Sequence, residues 1–307
     1  MLVLTMIIAA LTLIERRVLA LIQRRVGPQF VGYKGRLQYI ADALKLFTKG
    51  ALIPNEANKF WFITIPSIVA ALCYSLWMNS VWGPSLCLFE IEYNLVYVSL
   101  FSILFSFCVI LTGYFSKNKY SMLGAIRCCL LTLNLELFMG LMILNVTLFG
   151  TSFSFLPLVS LQEIIWLIFV FFGLIGLLMI TFLLETNRAP FDLAEAESEI
   201  VAGYTVEYGG FYFGLYYLGE YLHLFFFSLV ISILFLGGWL NFFDWLILPG
   251  VFNFAIKILF FTVFFITARA LLPRLRYDQL MNLGWKYFLP ISISLVLIVA
   301  SLITIEV

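Results

Sequence analysis

The chain has 307 residues, of which 63% are hydrophobic and 11% charged, with a net charge of +1. A mean hydropathy of +1.06 excludes a soluble globular domain, and no nucleic-acid partner is expected. Gly-x-Gly-x-x-Gly and Gly-x4-Gly-Lys-Ser/Thr are both missing, so no nucleotide-binding loop is expected.

Apolar runs longer than the roughly 18 residues that cross a bilayer recur along the chain. They predict spans at about 1–22, 60–78, 94–115, 121–149, 161–184, 211–236, 251–273 and 287–305. The expected fold is all-α: one polytopic membrane bundle over 1–307 with about eight transmembrane helices, because the loops are too short for a soluble core. Between the first two spans, Leu37, Ile40, Ala41, Leu44 and Phe47 form an apolar stripe against Arg36, Gln38, Asp42, Lys45 and Lys49. That pattern predicts an amphipathic helix over 36–49, lying in the interface.

Seventeen of the eighteen Lys and Arg residues fall on one side of this topology, nine of them between Arg16 and Lys59. By the positive-inside rule that side faces inward and both termini face outward. Lys257 breaks the pattern and is expected to snorkel to the outer interface. The five cysteines include no Cys-x-x-Cys pair, so no metal or cluster site is expected and buried free thiols are. No removable signal is expected, since a basic leader and a small-residue cleavage site are missing. So apolar a chain, with 33 Phe, suits an organelle-encoded or bacterial inner-membrane protein.

Away from the span ends, the predicted spans hold Glu136, near the middle of the fourth, and Glu220 in the sixth. Facing lipid while ionised, each would cost about 2.5–3.5 kcal/mol. Both are therefore expected to face the bundle interior, as proton-transfer groups or as neutral carboxyls hydrogen-bonded between helices. The loop 185–210 concentrates Glu185, Asp192, Glu195, Glu197, Glu199 and Glu207 around the single basic residue Arg188. Asp192, Glu195 and Glu199 share one helical face, and Asp-x-x-Glu after Pro190 reads as a capping box. A cap accounts for two acids. Six beside hydrocarbon suggest a water-lined or buried polar path rather than a solvated loop.

His223 is the only histidine, which excludes bis-histidine haem ligation within the chain. Glu220-x-x-His223 is half of a di-iron motif with no second copy. The ring is expected to be a satisfied polar group among aromatics, with a proton-carrying role open. Gly210 and Gly214 suggest a close helix packing. Glu15, Arg16, Arg17, Arg24, Arg25, Asp42, Arg269, Arg274 and Arg276 gather at the inner interface. Many are topology determinants, but an arginine- and carboxylate-rimmed apolar pocket would also suit a ligand with a long apolar tail and a polar head. Tyr204, Tyr208 and Tyr221 add phenols able to bond a carbonyl.

Glu15-Arg16-Arg17, Gly27-Pro28 with 40–45 (Ile-Ala-Asp-Ala-Leu-Lys), 185–192 (Glu-Thr-Asn-Arg-Ala-Pro-Phe-Asp), Glu195 to Glu199, Val206-Glu207-Tyr208, Glu220-Tyr221 and 274–280 (Arg-Leu-Arg-Tyr-Asp-Gln-Leu) occur in order along almost the whole chain. In these stretches it resembles the chain 1 family of NADH:ubiquinone oxidoreductase, a core membrane subunit of respiratory complex I. The resemblance implies a quinone-channel and proton-coupling subunit of the mitochondrial inner membrane, or of a bacterial plasma membrane. Ubiquinone would be the substrate, while flavin and iron–sulfur clusters would reside in hydrophilic partner subunits; other membrane subunits and lipids would be further partners. Glu185, Asp192, Glu195, Glu197, Glu199 and Glu207 would line the acidic route, continued by Glu136 and Glu220. Arg16, Arg24, Arg25, Asp42, Arg188, Tyr221, Arg269 and Arg274 would border the quinone path. Two departures stand out: only fourteen residues precede Glu15, and Leu131 and Leu135 stand where the family commonly has glutamine and tyrosine. Two rival readings are a proton-coupled secondary transporter, for which no internal symmetry is found, and the membrane subunit of a membrane-bound hydrogenase.

Overall fold

The computed structural model describes residues 1–87, 89, 91–186, 188, 191–192, 203–241 and 249–306. Among them the chain is a bundle of helices, with an isolated antiparallel bridge between Val81 and Cys87. In chain order the helices are α1 (Leu2–Ile22), α2 (Gln38–Thr48), α3 (Lys59–Met78), α4 (Asn94–Ser116), α5 (Lys119–Gly150), α6 (Phe155–Gln162), α7 (Leu167–Val170) and α8 (Phe172–Glu185). They continue with α9 (Gly210–Leu236), α10 (Gly250–Leu271), α11 (Tyr277–Leu283) and α12 (Leu289–Glu306), the last two joined through a π-helical turn over Gly284–Phe288. Five of these helices, and the continuous stretch Tyr277–Thr304, are long and apolar enough to cross a membrane; α8 is apolar but shorter.

The centre of the bundle is α9. From Gly219 to Phe235 every residue is buried, as expected of a helix that is apolar all round. Small residues set how closely its neighbours approach. Gly210 adopts φ +57°, and a Cβ there would lie 2.5 Å from the Lys49 carbonyl oxygen; one on Gly214 would lie 3.2 Å from Leu46. The amphipathic helix α2 thus docks on the start of α9, where Phe47 also stacks on Phe211 at 5.5 Å.

Two sequence expectations are corrected here. The span expected over 161–184 is divided into α7 and α8, following α6. α6 ends at Gln162, whose amide nitrogen donates to Ile233 O at 2.8 Å and whose oxygen accepts from Gly237 N at 2.8 Å, tying the break to the end of α9. The break leaves Glu163 exposed, where a carboxylate inside a continuous span would be costly. Lys257, in turn, does not reach for the interface. It is 7% exposed, and its ammonium donates to the carbonyls of Leu236, Gly238 and Leu240 at 2.6, 2.8 and 2.6 Å. Three donors meet three acceptors at the negative end of α9, which removes the reason to snorkel.

Candidate functional site

The densest polar cluster joins α1, α9, α10 and the loop after α8. Glu15 is 3% exposed although it lies in an apolar helix. Its carboxylate accepts from Arg188 at 3.0 and 3.1 Å, from Arg269 and from the Tyr221 hydroxyl. The Arg188 guanidinium also sits over the Tyr221 ring, 3.9 Å from its centroid, a cation–π contact strengthened by desolvation. Burial works against the Arg188 charge, but the Glu15 carboxylate beside it prevails and holds the group above the ordinary arginine value. Both partners of this ion pair are therefore buried and committed to each other.

The mid-bundle carboxylates have partners of another kind. Glu136 of α5 accepts from Ser106 Oγ of α4 at 3.3 Å, and Glu220 of α9 accepts from the Tyr204 hydroxyl at 3.0 Å. Tyr204 is placed by the backbone. Its carbonyl accepts from Ser121 at 3.0 Å, and a Cβ on Gly124 would lie 2.8 Å from Gly203, so α5 lets the 203–205 turn come close. Glu185, at the end of α8, is 2% exposed, near enough to Glu136 for like charges to repel, and its Oε2 has no hydrogen-bond partner among the described residues. Arg188 in turn feels the charge of Glu220. Glu207 accepts from Asn118 just before α5. Tyr208 stacks on Phe62 with centroids 4.1 Å apart, and burial pushes its phenol up to about 12, so it stays neutral. Glu195, Glu197 and Glu199, with the face and capping box expected around them, lie outside the described residues.

The remaining arginines separate into two settings. Arg16 pairs with Asp42 at 2.7 Å, where Gln38 also donates to that carboxylate at 3.1 Å. Arg16 and Arg25 line an open cleft of about 480 Å³ with Leu19, Ala20, Val26 and Phe30. Arg24, at φ 54°, is exposed next to it. Arg274 reaches Asp192 at 3.2 Å. Arg188 and Arg269 belong to the Glu15 cluster instead.

Sequence reasoning singled out Tyr221, Arg188 and Arg269 but missed Glu15 as their common acceptor, and it missed Ser106 and Asn118 as carboxylate partners. Glu15 had a signal: a carboxylate in an apolar helix needs a cation, and the acidic loop holds a lone arginine. Ser106 had none, since serine in a membrane helix commonly bonds its own backbone. His223, expected to be satisfied, has no partner for either ring nitrogen among the described residues. Its nearest rings are Phe105 of α4 and Phe227 of α9, neither of which offers a conventional hydrogen-bonding atom.

A family model described as NADH dehydrogenase matches residues 1–300. NADH-ubiquinone oxidoreductase chain 1 of Paramecium tetraurelia is 64% identical over 239 residues, covering 78% of this chain and 92% of that protein. Chain 1 of Arabidopsis thaliana is 41% identical over 299 residues, covering 96% and 92%. An NADH-quinone oxidoreductase subunit of Pelagibacter ubique is 40% identical over 297 residues, covering 96% and 90%. With an all-α architecture of long apolar helices to match, the chain belongs to the NADH dehydrogenase family, as a polytopic membrane subunit of an oxidoreductase complex.

Proposed function

We propose that this chain frames a ubiquinone passage and carries part of the proton route that links quinone reduction to proton translocation in an NADH:ubiquinone oxidoreductase. The observation that carries the reading is the buried cluster of Glu15, Arg188 and Tyr221, joined by the more exposed Arg269 and set beside the mid-bundle carboxyls Glu220, Glu136 and Glu185. Charged groups at this depth are costly unless they serve a polar path. The cleft between Arg16, Arg25 and Phe30 has the apolar walls and cationic rim that an isoprenoid quinone requires at its entrance. In this reading Arg16, Arg24, Arg25, Asp42 and Arg274 border the passage, and Arg188, Tyr221 and Arg269 shape its inner end. Glu207, Asp192, Glu185, Glu195, Glu197 and Glu199 form the acidic approach, and Glu220 and Glu136 continue it into the bundle. Electrons would come from flavin and iron–sulfur clusters in hydrophilic partner subunits, with no redox centre in this chain.

The test is proton pumping by the assembled complex carrying Glu136→Gln or Glu220→Gln. Gln keeps the hydrogen bonds and removes the exchangeable proton. Translocation is expected to fall about tenfold, more than in the Glu→Asp variants, with NADH oxidation by a soluble acceptor retained. Normal pumping in both Gln variants would remove them from the route.

The topology belongs to the same proposal: about eight spans in one domain, with both termini on the outer side, the intermembrane space in a mitochondrion. The 32-residue α5 supplies a direct test, because Lys119 and Thr151 stand at its two ends and both are exposed. At about 1.5 Å per residue these ends lie on opposite sides of a hydrocarbon core about 30 Å thick. In a Cys87→Ser background, Thr151→Cys is expected to react with an impermeant thiol reagent added from outside and Lys119→Cys to resist it. The opposite pattern inverts the orientation.

A further inference from the structure

His223 is 1% exposed, and neither Nδ1 nor Nε2 has a hydrogen-bond partner among the described residues. A neutral imidazole carries one N–H donor and one lone pair, and burying both unpaired is costly enough that native proteins rarely do it. Its close neighbours are rings: Phe105 of α4 with centroids 4.4 Å apart, and Phe227 at 5.6 Å. Neither accepts or donates a conventional hydrogen bond. Glu220 precedes His223 by three residues on α9, the spacing that places side chains one above the other. On the other side, the residue after Phe105 is Ser106, which donates to Glu136 at 3.3 Å. Consecutive residues of α4 thus touch first His223 and then Glu136. From α3, Cys73 lies within electrostatic reach of Glu220 and of Cys108 on α4. These are neutral thiol neighbours, and Arg188 is the cation that bears on Glu220.

We propose that His223 is a further proton-carrying residue, joined by bound water to Glu220 on one side and to Glu136 on the other. Buried water is retained where it bridges otherwise unsatisfied polar groups, and an imidazole with carboxyls on neighbouring turns offers such partners. This inference rests on the proton route proposed above and adds the link between its two mid-bundle carboxyls. A proton leaves the Glu220 carboxyl, crosses one water and binds the imidazole nitrogen that carries the lone pair. The N–H of the other nitrogen releases its proton through a second water to the Glu136 carboxylate. Glu220 ends ionised, Glu136 neutral and the ring neutral in its other tautomer. Rotation of the ring, or a return proton, restores the starting tautomer.

The experiment compares His223→Gln with Glu136→Gln in the assembled complex, measuring protons translocated per NADH oxidised. Gln offers a donor and an acceptor but cannot take up and release a proton near neutral pH. The His223→Gln variant is expected to assemble, to oxidise NADH normally with a soluble acceptor, and to lose about tenfold in translocation. A turnover-induced infrared difference band from imidazole, shifted in deuterium oxide, is expected in the unmodified complex and missing from the variant. Normal translocation in His223→Gln alongside a deficient Glu136→Gln overturns the inference and leaves the proposed function standing. Normal translocation in both variants overturns the inference and removes Glu136 from the proposed route. His223→Asn is the second variant: if neither substitution permits assembly, the ring is a packing element and the inference falls.

Discussion

Glu15 and Glu136 are both buried carboxylates in helices of one bundle, yet their surroundings have little in common. Glu15 is held by two arginines and a phenol from three other parts of the chain. Glu136 meets a serine hydroxyl, with Glu185 as a like-charged neighbour. An arginine remains charged under all conditions a protein meets, so the Glu15 cluster is a fixed electrostatic feature. A hydroxyl can donate to a carboxylate or accept from a carboxylic acid, so it serves Glu136 in either form. The lesson is that burial does not assign a role to a carboxylate. Its partners do.

The sharpest way to break this contrast is to remove a fixed charge. Arg188→Ala strips Glu15 of its fully buried partner and is expected to destabilise the subunit by about 3–5 kcal/mol, seen as loss of assembled complex on native gels. Combining Glu15→Gln with Arg188→Gln should recover part of that loss, because the buried charges disappear together; equal damage in the double variant would refute the pairing argument. Tyr204→Phe probes the hydroxyl-paired side. It removes one donor to Glu220 at a cost of about 1 kcal/mol, so assembly should persist while coupled quinone reduction falls several-fold. The smallest structural effect is expected at the exposed Arg16–Asp42 pair, worth about 0–1 kcal/mol. Arg16→Gln should leave assembly intact and raise the KM for a short-chain ubiquinone. An unchanged KM would detach the cleft from the quinone passage.

Much of the bundle was legible in the sequence because hydropathy reports directly on helices that must bury apolar surface. The amphipathic pattern over 36–49 became α2, and the Gly210–Gly214 pair became its docking surface. The division of 161–184 was not legible, because hydropathy reads the run as continuous through residues 163–166 and the bend at Phe171, while Gln162 bonds to carbonyls more than seventy residues away. The same limit applied to the site. Glu136, Glu220 and the acidic loop stand out as charges in apolar surroundings, whereas the partners that distinguish them arrive from distant helices. Lys257 was misread for that reason: a lone cation in a span suggests snorkelling until the open carbonyls at the end of α9 are seen beside it.

That lysine also governs how the folded chain meets a protease. Trypsin needs an accessible stretch of extended backbone around a basic residue. Lys257 offers neither, being two turns inside α10, with its ammonium held by three carbonyls. No other Lys or Arg occurs between Arg188 and Arg269, and Arg188 is itself only 6% exposed. Digestion of the folded protein would therefore leave the acidic loop, α9 and the carboxylate and histidine it carries on one uncut fragment.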